Sequence, residues 1–177
     1  NAPKEMYQAL RYARAGYPMH HYERWRRQTF RAYEPEGLDR ERSTTPPVHL
    51  HVIASHLGPD VDPGHSQMIV SLLSQPQSRW SCTILTKPNG ARPTDVQDNR
   101  IQFLPADVPI GDIIKALPAK AIIVRLELED SLNPYALAVL AAAVERAPDA
   151  ALFYGDEDSC SPDGTFTHPL LKPDWSR

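Results

Sequence analysis

The stretch Ala119–Leu126, A-K-A-I-I-V-R-L, constrains the fold more than any other. It is almost continuously apolar, too short to read as a packed helix, and too apolar for a strand with one face in water. The pattern predicts a central parallel strand covered on both faces. The neighbouring segments supply the cover. Val48–Ala54 alternates, with Val48, Leu50, Val52 and Ala54 on one face, and reads as a strand. Asp62-Pro63 reads as a helix start, with Met68, Ile69, Leu72 and Leu73 as the buried stripe. Trp80–Thr86 is a second strand, stopped by Pro88-Asn89-Gly90, and Arg100–Leu104 a third. Pro109–Ala116 is a short helix. Asn133-Pro134 opens an alanine-rich helix that runs to about Arg146, and Ala150–Tyr154 is the last strand. The order β-α-β-β-α-β-α-β predicts an α/β fold, mostly parallel, with helices on both faces of the sheet.

What precedes residue 48 is different. Residues 4–33 read as two helices separated at Gly16-Tyr17-Pro18, the second rich in Arg24, Arg26, Arg27 and Arg31. Residues 34–47 hold three prolines and almost nothing apolar, as a linker would. The predicted organisation is therefore a helical segment over 3–33, a linker over 34–47 and one domain over 48–177, with Asn1-Ala2 read as a cloning scar. The net charge of −3 conceals a division. Residues 1–47 carry 9 Lys and Arg against 6 Asp and Glu, and the remainder carries 10 against 16. The basic helix suits a solvated amphipathic surface, with membrane or nucleic-acid contact as the other reading. Cys82 and Cys160 show no metal-type spacing and fit a reducing, cytosolic compartment. No apolar stretch is long enough to span a bilayer, and no signal peptide is visible.

Ligands of parallel sheets bind at the carboxyl ends of the strands. Four such ends are candidate site positions: Ser55–His56, Thr86–Lys87, Glu127–Asp130 and Asp156–Asp158. Glu127 and Glu129, two apart, share one side of an extended chain, and paired carboxylates with Asp130 suit Mg²⁺ or Mn²⁺ held against a diphosphate. A solvated loop at a helix entrance is the other reading. Asp156, Glu157 and Asp158 repel one another unless a cation or a polar network compensates them. They suit a metal, a general base or sugar hydroxyls, and a capped loop is the alternative. Their cationic or catalytic partner is expected in sequence beyond Arg177. His49 and His51, with His56 and His65 nearby, and the pair His20-His21, lack a completing ligand and read as surface or buried polar histidines. Phosphate-loop, dinucleotide-fingerprint and nucleophile-elbow motifs are missing from the sequence, which argues against those classes.

Tyr154, Asp156, Glu157, Asp158, Gly164, Pro169, Lys172, Pro173, Asp174, Trp175 and Ser176 follow a Y-S-D-E-D…K-P-D-W-S run. On that run residues 48–177 resemble the N-terminal, donor-binding half of family 2 glycosyltransferases with the Rossmann-like GT-A fold, nearest to those of bacterial surface polysaccharide and rhamnan synthesis. Ser71, Gln75 and Trp80 match S-x-x-x-Q-x-x-x-x-W, and Asp130–Leu137 resembles the segment after the family's D-x-D. Tyr22-Glu23-Arg24-Trp25 resembles a Y-x-x-W helix found before the domain. The family's acidic pair after the second strand is replaced here by Thr86-Lys87, and its D-x-D by Glu127-Leu128-Glu129. The loop Ser55–Asp62 also lacks the family's P-x-Y-N-like run.

The resemblance implies an inverting glycosyltransferase, rhamnosyltransferase-like, present as its N-terminal portion and inactive alone. It implies a UDP- or dTDP-linked donor, a glycan acceptor and a cytoplasmic location at the inner face of the membrane, with no nucleic-acid partner. Ser55, Thr86, Lys87 and Lys172 would contact the donor, and Glu127, Glu129 and Asp130 would hold the metal. The catalytic base is expected beyond Arg177, with Asp156, Glu157 and Asp158 as the nearby candidates. Lys172, Asp174 and Trp175 would lock the domain to the missing half, with Lys172 as a candidate to neutralise the acidic cluster. The replaced motifs leave a second reading open: a degenerate, non-catalytic interaction module. A nucleotidyltransferase or other nucleotide-binding α/β protein is a third, weakened by the missing phosphate loop.

Overall fold

A computed structural model describes residues 22–32, 48–55, 66–76, 79–87, 96–161, 163–170 and 172. The expected features at Gly16-Tyr17-Pro18, Asp62-Pro63, His20-His21, His56, His65, Pro88-Asn89-Gly90 and Asp174–Ser176 lie outside these residues. The chain divides into two compact units. One holds strands β1 (Leu50–Ser55), β2 (Trp80–Thr86), β3 (Ile101–Pro105) and β4 (Ile122–Glu127), with helices α2 (Gln67–Leu73), α3 (Ile110–Ala116) and α4 (Ala136–Arg146). The other holds helix α1 (Tyr22–Ala32) and the strands β5 (Glu157–Cys160) and β6 (Phe166–Leu170).

The four strands of the first unit form one parallel sheet in the order β3-β2-β1-β4. β1 is one of its two interior strands with β2, hydrogen-bonded on both edges and buried on both faces. Its even residues Leu50, Val52 and Ala54 pack with Cys82 and Ile84 of β2, Met68, Ile69 and Leu72 of α2, and Leu137 and Ala141 of α4. On the opposite face Ile53 and Leu85 meet Ile113 of α3. The sheet thus carries helices on both faces, the α/β layout that the sequence predicts. Cys82 belongs to the first cluster, and burial pushes its thiol up to about 12, so it serves packing rather than chemistry.

Three local expectations are corrected. The apolar run at 119–126 does not become an interior strand. Within the described sheet, β4 lies at the edge, and its burial alternates, with Ile123 38% exposed. Ile122, Val124 and Leu126 face the main core, whereas Ile123 and Arg125 point the other way. Nor does Ala150–Tyr154 form a strand: Leu152 is 65% exposed, and the chain first pairs at Glu157. Polar residues there can pair because Gly164, at φ +81°, turns the chain back into β6. In α2, Leu73 is exposed and Ser71 is buried in its place, with Ser66 capping the helix by accepting from Ile69 N–H.

The amino half of the second sheet face is polar. His51 Nδ1 lies 2.7 Å from Ser81 Oγ and His51 Nε2 lies 3.0 Å from Thr83 Oγ1. His49 Nε2 reaches the same serine at 2.8 Å, and Gln102 Nε2 donates to Thr83 at 2.6 Å. These are the buried polar histidines of the sequence reading. Burial holds both imidazoles below their ordinary value of 6.5, helped by Arg79 at His49 and by His49 at His51. The folded chain therefore binds fewer protons than the unfolded one once the pH drops below that value. Stability is full above pH 6.5 and is lost as the pH falls toward the lower folded-state values, at no more than about 1.4 kcal/mol per pH unit for each histidine. Denaturant unfolding across this range should show the loss, and His51→Gln should flatten it. An unchanged slope in that variant would contradict the assignment.

Candidate functional site

The strand order reverses direction between β1 and β4: the chain adds β2 and β3 on one side of β1, then returns to place β4 on the other. Such a switch point opens a crevice outside the carboxyl ends of the two strands. The register puts Ser55 directly beside Glu127 there. Ser55 Oγ donates to Glu127 Oε2 at 3.4 Å, and Arg125 Nη2 approaches Glu127 Oε1 at 3.4 Å. Both contacts are long, so the carboxylate keeps most of its capacity to accept.

Beyond Glu127 the chain is not extended, contrary to the basis for placing Glu127 and Glu129 on one side. It turns at once. Glu127 N–H donates to Asp130 Oδ2 at 2.8 Å and Asp130 N–H donates to Glu127 O at 3.1 Å. Between them Leu128 is buried in the main core, which anchors the turn and leaves Glu129 exposed. Asp130 thus closes a turn instead of capping a helix. Thr86 Oγ1 donates to Leu104 O at 3.3 Å, and Lys87 follows it, exposed, at the end of β2. Among the described residues no group of three or more His, Cys, Asp or Glu is arranged to hold a metal ion.

The segment after the turn is fixed by two side chains of the Ser71-x-x-x-Gln75 motif. Ser71 Oγ accepts from Leu132 N–H at 2.9 Å. Gln75 Nε2 donates to Asn133 O at 2.9 Å and to Ser71 O at 3.1 Å, while its Oε1 accepts from Leu137 N–H at 3.1 Å. Asn133 is therefore not the side-chain cap that the sequence suggests. Gln75, on another element, satisfies one of the first N–H groups of α4. Two motifs read separately in the sequence are in contact in the fold.

In the other unit the three acids have partners within the chain. Tyr22 and Arg26, one helical turn apart on α1, both donate to Asp158 Oδ2, at 2.8 and 2.7 Å. The Arg26 guanidinium also stacks 3.2 Å from the centroid of the Phe166 ring. Glu23 Oε2 accepts from Phe166 N–H at 3.2 Å, and its other oxygen accepts from Arg27 at 2.7 Å. Lys172 N–H donates to Asp156 at 2.8 Å and Lys172 Nζ to Glu157 at 3.1 Å. The compensating charge thus lies before residue 48 and at Lys172, and α1 is not merely a solvated basic surface. The signals were present as a Tyr and an Arg spaced i, i+4 and an acidic run in need of a cation, but nothing local joined them.

Comparison with known proteins gives a partial relationship. The chain is 32% identical over 123 residues to the O-antigen biosynthesis protein RfbC of Myxococcus xanthus. That match covers 62% of this chain and 10% of the relative. It is also 39% identical over 57 residues to the uncharacterized protein y4gI of Sinorhizobium fredii, covering 32% of this chain and 6% of the relative. The chain therefore spans a tenth or less of the length of these curated relatives. No protein-family profile matches it. Among the described residues no helix is long and apolar enough to cross a membrane.

Two measurements follow. Arg26 and Asp158 are only 16% and 19% exposed, so each is costly to leave alone. A double-mutant cycle of Arg26→Met and Asp158→Asn should give a coupling of about 1–3 kcal/mol in denaturant unfolding. A coupling near zero would show the pair to be idle. Burial first, then the hydrogen bond to Asp158, pushes Tyr22 up to about 12. The folded chain holds this proton more tightly, so the contribution is full below pH 10 and is lost as the pH rises from there toward 12. Spectrophotometric titration should find one late tyrosine, absent in Tyr22→Phe and earlier in Asp158→Asn.

Proposed function

We propose that this chain is the nucleotide-sugar-binding part of a glycosyltransferase that builds a cell-envelope polysaccharide at the cytoplasmic face of the membrane. The observation that carries the reading is the Ser55–Glu127 pair at the β1/β4 switch point, followed by an acidic turn. The similarity to a protein named for O-antigen biosynthesis supplies the sugar context. A UDP- or dTDP-linked donor would lie across the crevice, with Ser55, Thr86 and Lys87 as its contacts.

The donor set fits a divalent cation of the hard, oxygen-seeking kind. Such ions bind through one or two carboxylates together with substrate phosphates, which asks less of the protein than a complete cage. Glu127, with Glu129 or Asp130, would hold Mg²⁺ or Mn²⁺, and the ion would supply positive charge against the departing diphosphate. The protein's own part is to place Glu127: Ser55 and Arg125 orient its carboxylate, and the buried Leu128 fixes the turn that carries it. The acceptor and its activating base would belong to the rest of the parent protein.

A non-catalytic interaction module is the second reading. It is favoured by the pairing of Asp156, Glu157 and Asp158 with Lys172, Arg26 and Tyr22, which commits those carboxylates to structure.

Calorimetric titration with UDP and with dTDP, with and without Mn²⁺, separates the two. The enzyme reading expects metal-dependent binding that Glu127→Gln weakens by about tenfold or more. A folded chain that binds neither nucleotide at millimolar concentration sinks that reading in favour of the module.

A further inference from the structure

The turn that carries Glu127 is anchored by the buried Leu128 and closed by two hydrogen bonds between Glu127 and Asp130, and the next five residues are neither helix nor strand before α4 begins at Ala136. What fixes that stretch is α2 and the residues just after it. Ser71 and Gln75 are buried, Gln75 to 6% exposure, and their side chains hold Leu132 N–H, Asn133 O and Leu137 N–H. Gln75 uses both amide hydrogens and its carbonyl oxygen on these contacts and on Ser71 O. Ser71 Oγ donates onward to Met68 O, so the hydroxyl is fixed in direction. Three of these bonds tie the chain after the acidic turn to the end of α2, and the bonds to Ser71 O and Met68 O fix the two side chains that make them.

We infer that Gln75 and Ser71 are positioning residues that set where the acidic turn Glu127–Asp130 stands, and hence the affinity for a metal–nucleotide ligand that neither side chain touches. The ligand half of this inference rests on the function proposed above; the positional half does not. A glutamine suits the task for a physical reason. Loop carbonyls and helix-entry amides need a donor and an acceptor from one side chain, and a terminal amide offers both. Glutamate keeps the acceptor for Leu137 N–H but cannot donate to Asn133 O, and leucine does neither. The three variants Gln75→Glu, Gln75→Leu and Ser71→Ala therefore remove different parts of the clamp.

The experiment uses the 177-residue chain with two readouts. The first needs no ligand: backbone amide resonances and hydrogen exchange of residues 127–137. The exchange protection of Leu137 should fall about tenfold in Gln75→Leu and be retained in Gln75→Glu, and that of Leu132 should fall likewise in Ser71→Ala. In each variant the Glu127 and Asp130 amide resonances should shift. The second is the affinity for UDP with Mn²⁺, which should weaken by about tenfold in Gln75→Leu. Ile113→Val, in the cluster on the opposite face, serves as a control for lost stability alone and should leave the turn resonances and the affinity unchanged.

Unmoved Glu127 and Asp130 resonances in all three variants overturn the clamp, whatever the ligand does. Wild-type binding that persists within twofold in Gln75→Leu overturns its link to affinity. If the wild type binds no nucleotide while the resonances move as expected, the functional reading fails and the positional one stands. Should Gln75→Leu not fold, Gln75→Glu and Ser71→Ala carry the same decision.

Discussion

β1 is the strand on which the larger unit depends, because it must be buried on both faces and paired on both edges at once. An interior parallel strand has no water to satisfy its backbone, so it needs a partner at every register position, and β2 and β4 supply them from Leu50 to Ser55. Its two faces meet burial by different means. The even face is apolar and fills the space beneath α2 and α4. The odd face is apolar only toward its carboxyl end, where Ile53 meets α3, and toward the amino end it trades packing for a ladder of hydrogen bonds through His51, Ser81 and Thr83. Burial disfavours charge on these imidazoles, so a structural network brings a pH dependence into the centre of the sheet.

Much of this was legible in the sequence, for identifiable reasons. The alternation in Val48–Ala54 and the short runs at Trp80–Thr86 and Arg100–Leu104 match three strands to within two residues at each end, because short β-rich runs between turn residues mark strands even where both faces are buried. An interior strand was assigned to the wrong run. Apolar content alone does not separate a strand covered on both faces from one whose outward residues, such as Ile123, meet little. The Ala150–Tyr154 run was misread for a related reason. Apolar content does not by itself make a strand, and the pairing formed instead in the polar segment that Gly164 could fold back.

The candidate site was legible as a place but not as an arrangement. A parallel sheet directs attention to strand ends, and Ser55 and Glu127 were among the residues so chosen. That they lie side by side follows from the strand order, which no local pattern encodes. The same holds for Gln75, two of whose three side-chain contacts fall on a segment more than fifty residues later in the chain. It holds again for Asp158, whose partners stand on the helix that the sequence seemed to set apart as a separate segment. Long-range polar pairs need correct geometry at both ends, and a sequence displays only one end at a time.

The union of α1 with the β5–β6 hairpin also has a consequence for synthesis. Arg26 leaves the ribosome 132 residues ahead of Asp158, and the entire parallel-sheet unit is made in the interval. At translation rates of about 5–20 residues per second, the wait is on the order of ten seconds. Throughout it the helix has neither the carboxylate nor the Phe166 ring that its inner face is built to meet. The smaller unit therefore closes only after the parallel-sheet unit has been made, although it contains the first helix described.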